Sequence, residues 1–124
     1  MIGSTRQVAV YAYAEPVDMR KSFDTLGALV VETMHKPLLS GDVYLFVGKT
    51  RTRAKALYFD GTGLCLFSKR LEKGRFAAPW LAGEGPLRWT MSELALFLEG
   101  SDAVGRLPLS PPVFQPGERA LRFG

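Results

Sequence analysis

Three strand-like runs joined by short turns, between residues 43 and 71, constrain the fold more than any other part of the sequence. Val43–Val47 is an unbroken run of bulky apolar residues, which is typical of a buried strand. Arg53–Phe59 forms the second run and residues 64–71 form the third. Between them, residues 60–63 read DGTG, a strong hairpin signal. We therefore predict an antiparallel β-meander.

The segment before the meander predicts one strand and one helix. Residues 7–13, QVAVYAY, are β-branched and aromatic and predict a strand. Asp18 then stands where a helix N-cap belongs, and apolar residues at helical spacing predict a helix over residues 19–35. Gly27 weakens a helix by about 1 kcal/mol relative to Ala, so we expect it to mark close packing.

The segment after the meander predicts a short strand at residues 75–78 and a second helix. Thr90, with Glu93 three positions later, forms a capping box that opens this helix. Gly100 ends it. The order of elements predicts an α+β domain, in which an antiparallel sheet carries both helices on one face.

The length of 124 residues fits a single domain, which we assign to residues 1–106. Residues 107–124 hold four of the eight prolines and predict a Pro-rich, flexible C-terminal tail. No apolar run approaches the roughly 18 residues of a membrane span, and the N-terminal residues lack the apolar core of a signal peptide. A single cysteine, Cys65, excludes an internal disulfide and a cysteine metal cluster. We expect a cytoplasmic protein that does not contact a membrane.

The triplet Gly48-Lys49-Thr50 matches the end of a phosphate-binding loop, but its surroundings exclude that loop. The pattern needs a first glycine where Val43 stands, and a helix where the sequence predicts a strand. A hairpin turn is predicted instead. The single His, the single Cys and serines outside any G-x-S-x-G context predict no catalytic site. Asp18, Asp24, Asp42 and Asp60 each have a local role, so no metal site and no cofactor are expected.

Basic residues are concentrated in one window. This window, residues 49–75, contains eight cations and two acids and so carries a net charge of +6, whereas the whole chain carries +4. The eight are Lys49, Arg51, Arg53, Lys55, Lys69, Arg70, Lys73 and Arg75. Since residues two apart on a strand share a face, Arg53 and Lys55 would line one side, and the other cations could join them in one ridge. Such a ridge predicts salt-dependent binding to nucleic acid, although solvated surface charge is the plainer alternative.

Aromatic residues interleave with this ridge and allow two interpretations. They are Tyr58, Phe59, Phe67, Phe76 and Trp80. Either they stack on bases, as in single-strand binders, or they belong to the core. The strings LFVGKT and KGRFAA partly resemble the signature strands of an RNA-recognition motif, but Arg75 and Ala77 occupy the aromatic slots of the second.

Three longer strings carry a family likeness: PVDMRKSFDTLGALV at residues 16–30, LYFDGTGLCLFSKRLEKGRF at residues 57–76, and SELALFLEG at residues 92–100. In this order and spacing they resemble the small TnpB-type accessory proteins of the insertion-sequence-sixty-six family of bacterial mobile elements. The sequence departs from that pattern at Phe59, where the family usually has Trp, at residues 77–80, and in the turn at residues 48–50.

The resemblance implies an accessory protein that is encoded beside a separate transposase, is needed for efficient transposition and has no known catalytic activity. The matching positions are Asp18, Met19, Arg20, Lys21, Phe23, Asp24, Asp60, Gly63, Lys69, Arg70, Leu71, Glu72, Gly74 and Phe76.

Two cations of the first string, Arg20 and Lys21, would lie in the first turn of the predicted helix. The helix dipole disfavours cations there, so we expect a partner for them: phosphate, or an acid such as Asp24 or Asp60. In the second string, we expect Glu72 to pair with one of its two neighbouring cations and the other cation to remain available to DNA.

The leading hypothesis is a non-catalytic accessory protein that binds DNA at the element ends, assists the transposase and docks on it through the Pro-rich tail. The predicted nucleic-acid-binding residues are Arg20, Lys21, Lys49, Arg51, Arg53, Lys55, Lys69, Arg70, Lys73 and Arg75. A protein-protein adaptor for the transposase and an RNA-binding regulator remain as alternatives. A homodimer through an edge strand is also compatible with the sequence.

Overall fold

A mixed sheet organises the part of the chain that the computed structural model describes, residues 7–81 and 87–100. Its five strands are β1 Val10–Ala12, β2 Val43–Val47, β3 Arg53–Phe59, β4 Leu64–Arg70 and β5 Leu87–Trp89, in the spatial order β4-β3-β2-β1-β5. The helices are α1 Phe23–Ala28, which continues as a π-helical turn over Leu29–Thr33, and α2 Met91–Glu99; a 3-10 turn covers Pro79–Leu81. The predicted α+β class is confirmed.

The predicted meander is present as β2, β3 and β4, which pair antiparallel in continuous register. The sheet is mixed, however, because β1 runs parallel to β2. The helical segment between these two strands makes the crossover that a parallel pair requires. The short strand β5 then pairs antiparallel with the other side of β1.

Both faces of the sheet are covered, which explains why β2 is apolar throughout. Val43, Leu45 and Val47 pack with α2, while Tyr44 and Phe46 pack with α1. The two helices therefore lie on opposite faces, and the prediction that they share one face was wrong. A strand buried on both sides loses the alternation that would have revealed a one-sided sheet.

Helix α2 begins and ends as predicted. Its capping box is formed: the Thr90 backbone N–H donates to Glu93 Oε1 at 2.7 Å, and the Glu93 N–H donates to Thr90 Oγ1 at 3.1 Å. Gly100 ends the helix with a φ of 85°. The Phe97 ring packs against Phe76 and Trp89, with ring centroids 5.2 and 5.1 Å apart, and this fixes the helix on the sheet.

Helix α1 is shorter than predicted. It begins at Phe23 with Ser22 as its N-cap, so the expected N-cap at Asp18 and helix start at residue 19 were wrong. The Asp18 carboxylate instead accepts from the Arg20 backbone N–H at 2.9 Å and holds a turn outside the helix. The close packing expected at Gly27 is confirmed, because a Cβ there would lie 3.1 Å from Leu38 Cδ2.

Residues 75–78 do not form the predicted strand, although the structure describes them. The Phe76 N–H instead donates to the Arg51 carbonyl at 2.7 Å, and the Phe76 ring enters the core.

The predicted tail, residues 107–124, lies outside the described residues. Within those that are described, no helix has the length and apolar content to cross a membrane.

Candidate nucleic-acid interface

The turn between β2 and β3 is a hairpin turn, as predicted. The Gly48 N–H donates to the Arg53 carbonyl at 3.0 Å and the Arg51 N–H to the Gly48 carbonyl at 2.9 Å. Arg51 closes the turn with a φ of 63°. A Cβ on Gly48 would lie 2.8 Å from Met19 Cγ, so this glycine lets Met19 pack directly against the turn.

Two further segments meet the turn at the same end of the sheet. Residues 71–76 dock through the Leu71 N–H, which donates to the Thr52 carbonyl at 2.8 Å, and through the bond from Phe76 to Arg51. Residues 17–21 dock through the Val17 N–H, which donates to the Val47 carbonyl at 3.0 Å. We call this meeting point of residues 17–21, 48–53 and 70–76 the basic end.

Nine of the ten predicted binding cations lie on the segments that form or adjoin the basic end. They are Arg20, Lys21, Lys49, Arg51, Arg53, Lys55, Arg70, Lys73 and Arg75. Within the described chain, the side chains of Lys49, Arg51, Arg53 and Lys73 make no hydrogen bond or ion pair.

A pair of like charges marks the centre of this end. Arg53 and Arg70 stand directly opposite each other on β3 and β4, and both are exposed. Opposed like charges on neighbouring strands weaken a sheet unless a counter-charge lies between them. Glu72 supplies part of it, with its Oε2 3.4 Å from Arg70 Nε, in an ion pair whose side chains are both largely exposed. The expected pairing of Glu72 with a neighbouring cation is thus observed. Because this ion pair is exposed, it adds little to the stability of the fold.

Arg20 is paired, but not with the acids expected. Its Nη2 lies 2.7 Å from Asp18 Oδ2, and its Nε donates to Asp18 Oδ1 at 3.1 Å. The hydrogen-bonded Arg20 side chain holds the pKa of Asp18 well below its usual range. Because α1 begins only at Phe23, the argument from an unfavourable helix dipole does not apply. Lys21 contributes a backbone carbonyl, which accepts from Lys55 Nζ at 2.8 Å.

Lys69 stands apart from the other predicted residues. Its Nζ donates to the Leu98 carbonyl at 2.7 Å, at the C-terminus of α2 and on the sheet face opposite Arg53, Lys55 and Arg70. A cation in this position satisfies a free carbonyl and complements the helix dipole. The neighbouring Leu71 packs on the same helix end, where a Cβ on Gly100 would lie 2.8 Å from Leu71 Cδ1. Residues 69–72, KRLE, thus contact residues 98–100, LEG, at the end of α2.

Most of the aromatic residues predicted beside the ridge are either part of the core or lie on the α2 side of the sheet. Phe76 is buried and stacked on Phe97, and Tyr58 and Trp80 pack against the α2-side core. Phe67 is 45% exposed, but it lies on the α2 side of β4 at the rim of a groove of about 440 Å³, away from the paired arginines. For Phe76 the core interpretation is therefore the one that the structure supports.

Asp60 has a structural role at the opposite end of β3. Its Oδ1 accepts from the backbone N–H groups of Thr62 and Gly63, both at 2.9 Å, which closes the DGTG turn as predicted. These bonds, with that of the Thr62 hydroxyl, lower the pKa of Asp60 to about 2. In the described part of the chain, no three His, Cys, Asp or Glu side chains are grouped to hold a metal ion.

Comparison with known proteins identifies the chain. The family model described as "IS66 Orf2 like protein" matches residues 8–106. The chain belongs to the IS66 Orf2-like family. This family consists of accessory proteins associated with transposition of insertion sequences. The insertion-sequence-sixty-six resemblance of the sequence motifs is thereby confirmed.

Two relatives from Sinorhizobium fredii (strain NBRC 101917 / NGR234) support this membership. The uncharacterized protein y4jC is 33% identical over 114 residues, which cover 90% of this chain and 97% of the relative. The uncharacterized protein y4hO is 34% identical over 102 residues, which cover 82% and 88%. No solved structure matches the chain.

Proposed function

We propose that this IS66 Orf2-like protein acts in the cytoplasm as a non-catalytic accessory factor, which binds the DNA of the element ends through the basic end and assists a separate transposase. The observation that carries the proposal is the Arg53–Arg70 pair. Two exposed arginines held opposite each other are unfavourable in the isolated fold and become favourable when a phosphate lies between them.

The surroundings of this pair support a polyanion as the ligand. Lys49, Arg51 and Lys73 are carried by the two turns that meet beside it, and within the described residues their side chains have no partner. The arrangement spreads cations over several segments instead of enclosing a pocket. It therefore suits a phosphate backbone better than a small phosphorylated ligand, and it offers no base-specific contact by itself.

The direct test is fluorescence anisotropy with duplex DNA of the element end, a scrambled duplex, and matched single-stranded DNA and RNA, each over a range of salt concentration. We expect duplex binding that weakens as salt rises, with a slope in log K against log salt of about −0.9 per phosphate neutralised. The ratio of affinities for end and scrambled duplexes measures sequence preference.

Variants locate the binding surface. The triple variant Lys49→Gln/Arg53→Gln/Lys73→Gln should lose about tenfold or more in affinity at low salt and flatten the salt slope by nearly 3. A control replaces two cations elsewhere on the fold: Lys36, which lies over the Tyr11 ring, and Arg88, whose Nε donates to the Tyr11 hydroxyl. Lys36→Gln/Arg88→Gln should leave the slope nearly unchanged. An equal loss per charge removed in both variants would mean that net charge, and not the basic end, drives binding.

Two outcomes would favour the alternatives. If no nucleic acid binds at low salt while the triple variant loses co-purification with the transposase, the basic end contacts an acidic protein surface. If single-stranded RNA binds more tightly than duplex DNA and Phe67→Ala removes that preference, an RNA-binding regulator is favoured. Phe76→Ala is unsuitable for this purpose because Phe76 is part of the core.

A further inference from the structure

Strand β4 forms one edge of the sheet, and within the described residues no strand pairs with its outer side. The direction of its backbone groups follows from the register. Leu71 donates to the Thr52 carbonyl and the Asp60 N–H to the Gly63 carbonyl, so the odd-numbered residues of this strand exchange hydrogen bonds with β3. Leu64, Leu66, Ser68 and Arg70 therefore direct their N–H and C=O groups outward.

This edge has few of the features by which sheets avoid pairing with other chains. Such features are short length, proline, bulges, and charged side chains, including inward-pointing ones, of which β4 has only Lys69 and Arg70. β4 has seven residues, contains no proline, and pairs with β3 without a bulge; its charges are confined to its last two residues. The opposite edge differs, because β5 has three residues and carries Arg88 at its centre.

From these observations we propose that β4 pairs antiparallel with β4 of a second copy of this chain, with the two-fold axis at Phe67. This register matches every residue of the strand and brings the outward N–H and C=O groups into pairs, Leu66 with Ser68 of the second copy and Leu64 with its Arg70. The two Phe67 side chains, each 45% exposed in the single chain, then face each other as a non-hydrogen-bonded pair, where side chains approach most closely.

Charge supports this register over a shifted one. Lys69 faces Cys65 of the second copy and Arg70 faces its Leu64, so no like charges are opposed.

The Pro-rich residues 107–124 are a poor alternative occupant of this edge, because prolines at positions 108, 111, 112 and 116 cannot donate a backbone hydrogen bond to it. The proposal concerns assembly alone and does not depend on DNA binding.

Sedimentation of the full chain in the absence of DNA tests the proposal. We expect a species of twice 13.7 kDa at micromolar concentration. Ser68→Pro removes an outward N–H and leaves the bonds to β3 in place, so it should yield a monomer with an unchanged circular dichroism spectrum, whereas the matched Ser68→Ala should remain dimeric. Phe67→Lys, which opposes two cations at the axis, should also be monomeric. A monomeric wild type, or a dimer that persists in folded Ser68→Pro, would overturn the proposal.

Disulfide trapping tests the register. In a Cys65→Ser background, Phe67→Cys should cross-link on mild oxidation, because the two Cα atoms at the axis lie within the limit of about 7 Å. The wild-type chain is the control: its Cys65 and that of the second copy are offset by four residues, about 14 Å, and should not cross-link. A dimer that is trapped at Cys65 and not at position 67 would rule out this register.

Discussion

At the scale of single residues, the motif KRLE, residues 69–72, contains two neighbouring cations with different environments. Lys69 and Arg70 are adjacent in sequence, but strand alternation places them on opposite faces of the sheet. Lys69 Nζ is hydrogen-bonded to the Leu98 carbonyl, while Arg70 is exposed beside Arg53. Mutation should therefore separate stability from binding at this pair.

Lys69→Met keeps the aliphatic chain and removes the ammonium group. We expect it to lower the free energy of unfolding by about 1–2 kcal/mol, because the Leu98 carbonyl loses a charged donor, and to leave the salt slope of DNA binding unchanged. The matched Arg70→Met should change unfolding by less than about 0.5 kcal/mol and flatten the slope by about 0.9. Chemical denaturation and anisotropy measure the two effects. If Lys69→Met flattened the salt slope and left stability unchanged, Lys69 would belong to the DNA-binding surface.

Asp60 gives a second prediction at this scale, in its dependence on pH. Folding lowers its pKa from 3.8 to about 2, so its contribution to stability is present above about pH 4 and is lost as pH falls toward 2. Asp60→Asn can still accept the Thr62 and Gly63 N–H groups through its amide oxygen. The variant lacks the charge that strengthens these bonds, so we expect the wild type to have the higher melting temperature at pH 7. Between pH 4 and 2 the wild type should lose more stability than the variant, and parallel decline would exclude Asp60 as a source of acid sensitivity.

At the scale of elements, the sequence predicts what local patterns determine. The strands of the meander, the DGTG turn and the capping box of α2 rest on neighbouring residues and were predicted correctly. The pairing of β5 with β1 joins residues nearly eighty positions apart, and a three-residue strand has no local pattern. At the start of α1, Ser22 is the N-cap, while the Asp18 carboxylate is hydrogen-bonded to Arg20 outside the helix.

The contact between the 71–76 segment and the end of α2 predicts a steric coupling. Gly100→Ala would bring a Cβ within 2.8 Å of Leu71 Cδ1 at a φ of 85°, and we expect it to lower the free energy of unfolding by about 1–3 kcal/mol. Gly63→Ala is the control, since a Cβ there meets nothing within 4 Å, and it should cost less than about 1 kcal/mol. Leu71→Ala should partly offset the Gly100→Ala loss in a double-mutant cycle; strict additivity would show that the two residues are not in contact.

At the scale of the whole molecule, the fold separates the contacts that hold α2 from the cations of the basic end. One face of β4 and the 71–76 segment hold α2, and the Asp60 turn closes the far end of the hairpin. The basic end lies at the other end of the sheet. The sequence predicted the cations but not this division, because side-chain direction depends on the register and on which helix covers each face.

The proposed dimer and the proposed DNA binding together predict a property that neither has alone. The two-fold axis at Phe67 would place the basic ends of the two copies at opposite ends of the joined sheet, so one dimer should hold two duplexes. Duplexes labelled with donor and acceptor dyes should then show energy transfer when wild-type protein is added below saturation. Ser68→Pro should bind a single duplex with unchanged affinity and give no transfer, because only the β4 pairing is lost. Lys49→Gln/Arg53→Gln/Lys73→Gln should remain dimeric and lose both binding and transfer. Transfer that survives in a monomeric Ser68→Pro would mean that one chain bridges DNA by itself, and the basic end would then be only one of two DNA-binding surfaces.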